Sequence, residues 1–195
     1  MARRSEHGFT LPELLISLGL LGVVLSSVTG IVVSVQRGYV QQREVARAED
    51  ALRVAETTIA GVLRMARANT LGITGASAPR LEANPRSAAG FDNVRVVADF
   101  NPLDGNTTGL LEDVLIWVEA DTLFVRWQAG QQPAPFAYPV RTLLFEYDSS
   151  GTALTTAAAA GRGATRVKVS IMAPRDRQSA ALARRETWVH LRNRS

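Results

Sequence analysis

Few side chains in this sequence have the type and spacing to do chemistry, and the most unusual of them is an acid. Glu13 stands at the head of an uncharged run, Leu14 to Val35, and five residues after Gly8. A carboxylate at the mouth of such a segment is costly unless it meets a cation or reaches water. Catalytic inventory is otherwise thin. The chain has no Cys and only two His: His7 lies ahead of the run, and His190 sits near the C-terminus with no nucleophile or acid motif nearby. No glycine-rich phosphate loop and no HExxH arrangement occurs, so the sequence reads as an enzyme's substrate and not as an enzyme. Asp104, Asn106, Glu112 and Asp113 offer oxygen ligands within one loop, but their spacing fits no EF-hand and Asp-Gly-Asn is a common turn. No metal or cofactor is expected. Asn106-Thr107-Thr108 fits a glycosylation sequon, a motif frequent by chance.

The element that carries Glu13 is legible from charge alone. Leu14 to Val35 spans about 22 uncharged residues, enough at 1.5 Å rise per residue to cross the roughly 30 Å hydrocarbon core of a bilayer. Arg3 and Arg4 precede it, which predicts a cytoplasmic N-terminus and a single pass, with the rest of the chain outside. A secretory signal would put its small residue after the apolar core. Here Gly8 comes before it.

The order Gly8-Phe9-Thr10-Leu11-Pro12-Glu13-Leu14 behind Arg3 and Arg4 resembles the class III leader of type IV prepilins and type II secretion pseudopilins. The resemblance implies that a membrane-bound prepilin peptidase cuts between Gly8 and Phe9, leaves the apolar helix on the mature protein and N-methylates Phe9. It also implies a role for Glu13, pairing with the terminal amine of Phe9 on a neighbouring subunit, so that each charge offsets the other's desolvation. The plain alternative is a carboxylate reaching out to the headgroups.

Within the anchor, Gly22, Ser26, Gly30, Ser34 and Gly38 recur at every fourth position. Small residues so spaced let another helix approach closely, although Gly and Ser are also common in membrane helices generally. Gly30 should weaken the helix locally. Beyond Arg37 the pattern turns amphipathic: Ala48, Leu52, Ala55, Ile59, Val62 or Leu63, and Ala66 recur at helical spacing, with Arg47, Glu49, Asp50, Arg53, Glu56, Arg64 and Arg67 largely elsewhere as a solvated face with local ion pairs. Asn69 to Gly72 supplies a stop.

Residues 72 to 90 lack a period and predict a loop or weak crossover. Strands are expected at 94–100, 114–118, 122–127, 140–147, 166–172 and 186–192, with 114–127 a hairpin, Asp148 to Gly151 a turn, Thr152 to Gly163 a mobile loop, and 174–185 a polar connection. The segmentation is therefore a leader at 1–8, a transmembrane and assembly helix at 9–36, its amphipathic continuation at 37–71, and an antiparallel sheet domain at 72–195. The class is α+β, with the helix stripe covering one face of the sheet.

The stretches from Asp113 to Trp127, Tyr138 to Gly151, Thr165 to Ala173 and Glu186 to Arg194 resemble the W-type minor pilins and the J-type pseudopilins. That implies a minor subunit of an inner-membrane-assembled filament, partnered by other minor and major pilins or pseudopilins. A third reading is an anchored binding domain that never polymerises. Net charge is +4, and +3 without Met1 to Gly8, so composition alone does not signal nucleic acid. Arg162, Arg166, Lys168, Arg175, Arg177, Arg184 and Arg185 do concentrate near the C-terminus. They could meet DNA phosphates, pair with acids on neighbouring subunits, or solvate strand edges.

Overall fold

The computed structural model describes residues 10–66, 78–84, 86, 91–99, 104–175 and 182–191. Gly8, Phe9, Arg67, Arg177 and the expected helix stop at 69–72 lie outside them. The chain divides into two compact units, Met1–Arg43 and Glu44–Ser195.

Helix α1, Leu11–Met65, runs unbroken through Gly30, so the expected weakness there does not interrupt it. Thr10 precedes it, and the first intrahelical bond runs from the Leu14 N–H to the Thr10 carbonyl at 3.1 Å. Pro12 sits in the first turn, where no N–H is needed by the helix. In the Glu44–Ser195 unit the stripe turns inward as its spacing predicts. Ala48, Leu52, Ala55, Ile59, Val62, Leu63 and Ala66 are buried, joined by Ala51 and Ala60. Each of Leu52, Ile59 and Leu63 is wholly withdrawn from water, worth about 1.5–3 kcal/mol apiece.

The expected single sheet is two. The strands β1 (Arg80–Ala83), β2 (Asn93–Val97), β3 (Asp113–Glu119), β4 (Thr122–Arg126) and β5 (Ala134–Ala137) form a five-stranded sheet in chain order. A second, four-stranded sheet has the order β7-β6-β8-β9, from β6 (Thr142–Ser149), β7 (Thr152–Leu154), β8 (Arg166–Pro174) and β9 (Leu182–His190). Every pairing is antiparallel. One core cluster contains the helix stripe with Leu81, Val94, Val96, Ile116, Leu123 and Val125 of the first sheet and Leu143, Phe145, Tyr147, Val167, Val169 and Ile171 of the second.

Four expectations need correction. Strand β1 lies in the expected loop 72–90, where Arg-Leu-Glu-Ala alternates outward and inward so that Leu81 and Ala83 are buried. Strand β5 was not expected, since Pro135 within it and Pro133 just before it interrupt a strand pattern. The expected mobile loop from Thr152 to Gly163 is strand β7 and helix α2, Ala157–Gly163, because Ala is the strongest helix former and Thr156 caps it by accepting from the Ala159 N–H at 3.2 Å. Last, β9 begins at Leu182, taking in part of the expected polar connection. Both short hairpins use two residues with positive φ, Ala120 and Asp121 between β3 and β4, Ser150 and Gly151 between β6 and β7. That is the twist a two-residue hairpin turn requires.

Candidate functional site

In the first unit the site is the start of α1. Thr10 and Glu13 form half of a capping box: the Thr10 N–H donates to Glu13 Oε2 at 3.1 Å, and Thr10 Oγ1 donates to the same oxygen at 3.0 Å. The T-x-x-E spacing signals this in the sequence, and reasoning centred on the acid alone missed it. The carboxylate is thus held at the first turn of α1 through its Oε2.

Every residue from Thr10 to Arg37 is exposed, including Leu14, Leu18, Leu21, Leu25 and Ile31 at half or more of their surface. Apolar surface on this scale is unfavourable in water at about 25 cal/mol per Å² and demands lipid or other helices around it. Helix α1 is long and apolar enough to cross a membrane. At Gly22, Gly30 and Gly38 nothing beyond the neighbouring residues and the helix's own backbone lies within 4 Å of where a Cβ would stand, so the small-residue row is open to an approaching helix. Ser27 and Thr29 turn their hydroxyls back to the Val23 and Leu25 carbonyls at 3.0 and 2.8 Å, leaving no unpaired hydroxyl at those two positions.

Residues 3–29 match the prokaryotic N-terminal methylation motif. The chain carries a type IV pilin-like leader. The motif supports a protein of the pilin or pseudopilin type, processed by prepilin peptidase and anchored through its apolar helix. No curated protein and no solved structure matches the chain. The family motif covers the leader and most of the apolar run, and the sheet domain contributes nothing to it.

The structure also sorts the cations expected to form a cluster. Arg166 donates to Asp148 Oδ1 at 2.8 Å and lies 4.8 Å over the Trp188 ring. Lys168 stands 3.7 Å from Glu146 and 3.4 Å from Glu186. Arg184 pairs with Glu186 and Arg185 reaches Glu56 on α1 at 2.6 Å. These four are paired within their own chain: Arg166, Lys168 and Arg184 lie on one face of the sheet among Asp148, Glu146 and Glu186, so that face presents both signs, while Arg185 lies on the opposite face, toward α1. Arg162 and Arg175 are exposed. The contact to Glu56 also corrects the expectation that the α1 charges pair locally.

The pairings leave clear electrostatic marks. The Arg166 guanidinium, helped by the Gly151 N–H at 3.0 Å, holds the Asp148 carboxyl below its usual range. The Ser170 hydroxyl, with Lys168 and Arg184, does the same for Glu186. On the first sheet Asp113 takes both Nε and Nη2 of Arg95, at 2.6 and 2.5 Å, and raises that guanidinium further.

That pairing removes Asp113 from the oxygen-rich loop the sequence singled out. Asn106 Oδ1 is likewise occupied by the N–H groups of Thr107 and Thr108. In their place Asp99, Asp104 and Glu112 come together, their carboxylate oxygens within 4.8 Å of one another, with Asp99 and Glu112 buried. Asp99 accepts from the Asp104 and Gly105 N–H groups and Glu112 from that of Gly109, so the loop's own backbone supplies donors to the cluster. Sequence reasoning passed over Asp99, which follows β2 and carries no ligand spacing.

Proposed function

We propose that this chain is a minor type IV pilin. Prepilin peptidase cuts between Gly8 and Phe9 and methylates the new amine; the mature subunit, held in the inner membrane with its sheet domain outside, then joins other pilins to prime or extend a filament. The observation that carries this reading is the match over residues 3–29, which runs into the exposed, uncharged segment Leu14 to Val35 of α1. In assembly, Glu13 meets the Phe9 amine of an adjacent subunit and sets the register, and the row from Gly22 to Gly38 provides the close approach between helices. The protein acts by assembling and not by catalysis. The same motif also suits a J-type pseudopilin of type II secretion, whose filament pushes exoproteins instead of extending from the surface.

Glu13→Leu separates processing from assembly. Normal removal of Met1–Gly8 with loss of co-purification with other pilins is the expected result. Undiminished incorporation of that variant would refute the pairing.

A further inference from the structure

Each of the two sheets ends in two edges, and three of the four are blunted. Helix α2 lies against β1, where a Cβ on Gly161 would stand 2.8 Å from the Leu81 carbonyl oxygen. Strand β7 has three residues, and β5 has four including Pro135, which lacks an N–H. Strand β9 differs. It runs nine residues and pairs with β8 along its whole length.

The register shows which of its groups point outward. The Leu191 N–H bonds to the Thr165 carbonyl at 2.9 Å, in line with the β8–β9 pairs that run from Arg166 with His190. Antiparallel pairs alternate between hydrogen-bonded and non-bonded, so Val189, Thr187, Arg185 and Ala183 direct their backbone to β8. Leu182, Arg184, Glu186, Trp188 and His190 direct theirs away. All five are exposed, and among the described residues no other strand takes up these groups.

The side chains along this edge are complementary to themselves. Leu182, Arg184, Glu186 and Trp188 share one face of the sheet, where Arg184 pairs with Glu186. Set antiparallel against a second β9 about a two-fold axis at Arg185, Arg184 stands opposite Glu186 of the second copy, and Glu186 opposite its Arg184. The pair within each chain is kept, and the four charges alternate in sign around a square, so no cation has to be free beforehand. Leu182 and Trp188, 37% and 47% exposed in the single chain, come opposite one another at both ends. On the other face Arg185 meets its own copy, each guanidinium countered by Glu56 of its own chain at 2.6 Å. Moving the axis by one residue destroys the match, because Glu186 then faces Glu186 or Arg184 faces Arg184. Opposite charges directly across a strand pair stabilise it and like charges oppose it.

We propose that the β9 edges of two copies of this chain join antiparallel in the register centred on Arg185, making one continuous sheet from two four-stranded ones. The outward backbone groups of Leu182 to Trp188 supply the hydrogen bonds, and the alternation of Arg184 with Glu186 sets the register. The inference stands on β9 and is independent of leader processing and of filament assembly.

The test uses the full chain in detergent micelles, where the lack of any native Cys makes an introduced thiol the sole one in its chain. In the centred register Arg185 and its copy form a non-hydrogen-bonded pair with Cα atoms about 4.5 Å apart, within reach of a disulfide. Arg185→Cys should therefore oxidise to a covalent dimer. Ala183→Cys and Thr187→Cys should each stay monomeric alone and link when mixed, because each faces the other across the axis. Charge reversal supplies the second arm. Added to the Arg185→Cys chain, Arg184→Glu or Glu186→Arg should weaken dimerisation about tenfold, and both together should restore it. Equal linkage at 183, 185 and 187 would overturn the register and leave only chains crowded into one micelle. Linkage in neither the Arg185→Cys chain nor the mixed pair, or indifference to the charge reversals, would overturn the proposal.

Discussion

Glu13 does two things that separate variants can distinguish. Its carboxylate closes the first turn of α1 by accepting from Thr10, and in the proposed assembly its charge meets a cation on another chain. Glu13→Gln keeps an oxygen acceptor for Thr10 and removes the charge. The expected outcome is a helix start as stable as before with pilin co-purification reduced as strongly as in Glu13→Leu; retained co-purification would assign the acid to capping alone. Tyr147 offers a second test at this scale. Its hydroxyl is buried with no hydrogen-bond partner among the described residues, and burial raises its ionisation well above the usual range. The ring packs edge-on against Phe91 at 5.1 Å and beside Phe145. Tyr147→Phe should therefore leave stability unchanged or raise it by about 1 kcal/mol in denaturant unfolding, whereas Tyr147→Ala should lose about 3–5 kcal/mol.

At the scale of elements, the β6–β7 turn is held by a pH-sensitive lock. Asp148 accepts from Arg166 and from the Gly151 N–H, which lowers its folded ionisation below the unfolded value near 3.8. A depressed carboxyl stabilises the fold above that value and ceases to do so as pH falls through the folded one. Asp148→Asn should thus lower the unfolding midpoint at neutral pH, with the gap to the parent closing as the solution is acidified below 3.8. Helix α2 gives a paired test. Gly161→Ala would drive a Cβ into the Leu81 carbonyl and should destabilise by about 1–3 kcal/mol, while at Gly163 the nearest atom is 3.7 Å away and Ala should be tolerated. These same elements show where the sequence was readable. The α1 stripe and the strands β2, β3, β4, β6 and β8 follow periods that run long enough to stand out. Strands β1, β5 and β7 are too short for a period, and α2 is an alanine run whose helical signal was masked by its low complexity. The division into two sheets depends on pairings between distant strands, which periodicity does not encode. The leader was legible in the order Gly8 to Leu14, within the matched residues 3–29, while the Asp99 cluster and the ion pairs of Arg166, Lys168, Arg184 and Arg185 exist only once the sheets place them.

Over the whole molecule, two units with different solvents share one helix. The first presents apolar surface that water cannot stabilise, and the second has its own core of helix stripe and two sheets. A leader matched over residues 3–29 connects this division to a single event, the cut that turns a membrane precursor into an assembly subunit. In the proposed pairing the new amine is the cation that meets Glu13, so the account stands or falls on where the mature chain begins. Intact-mass and N-terminal peptide analysis of the protein isolated from membranes or filaments measures this directly. The account predicts a chain beginning at Phe9 and carrying one added methyl group on its amine. A chain retaining Met1–Gly8 in assembled material, or one cut anywhere other than between Gly8 and Phe9, would contradict it.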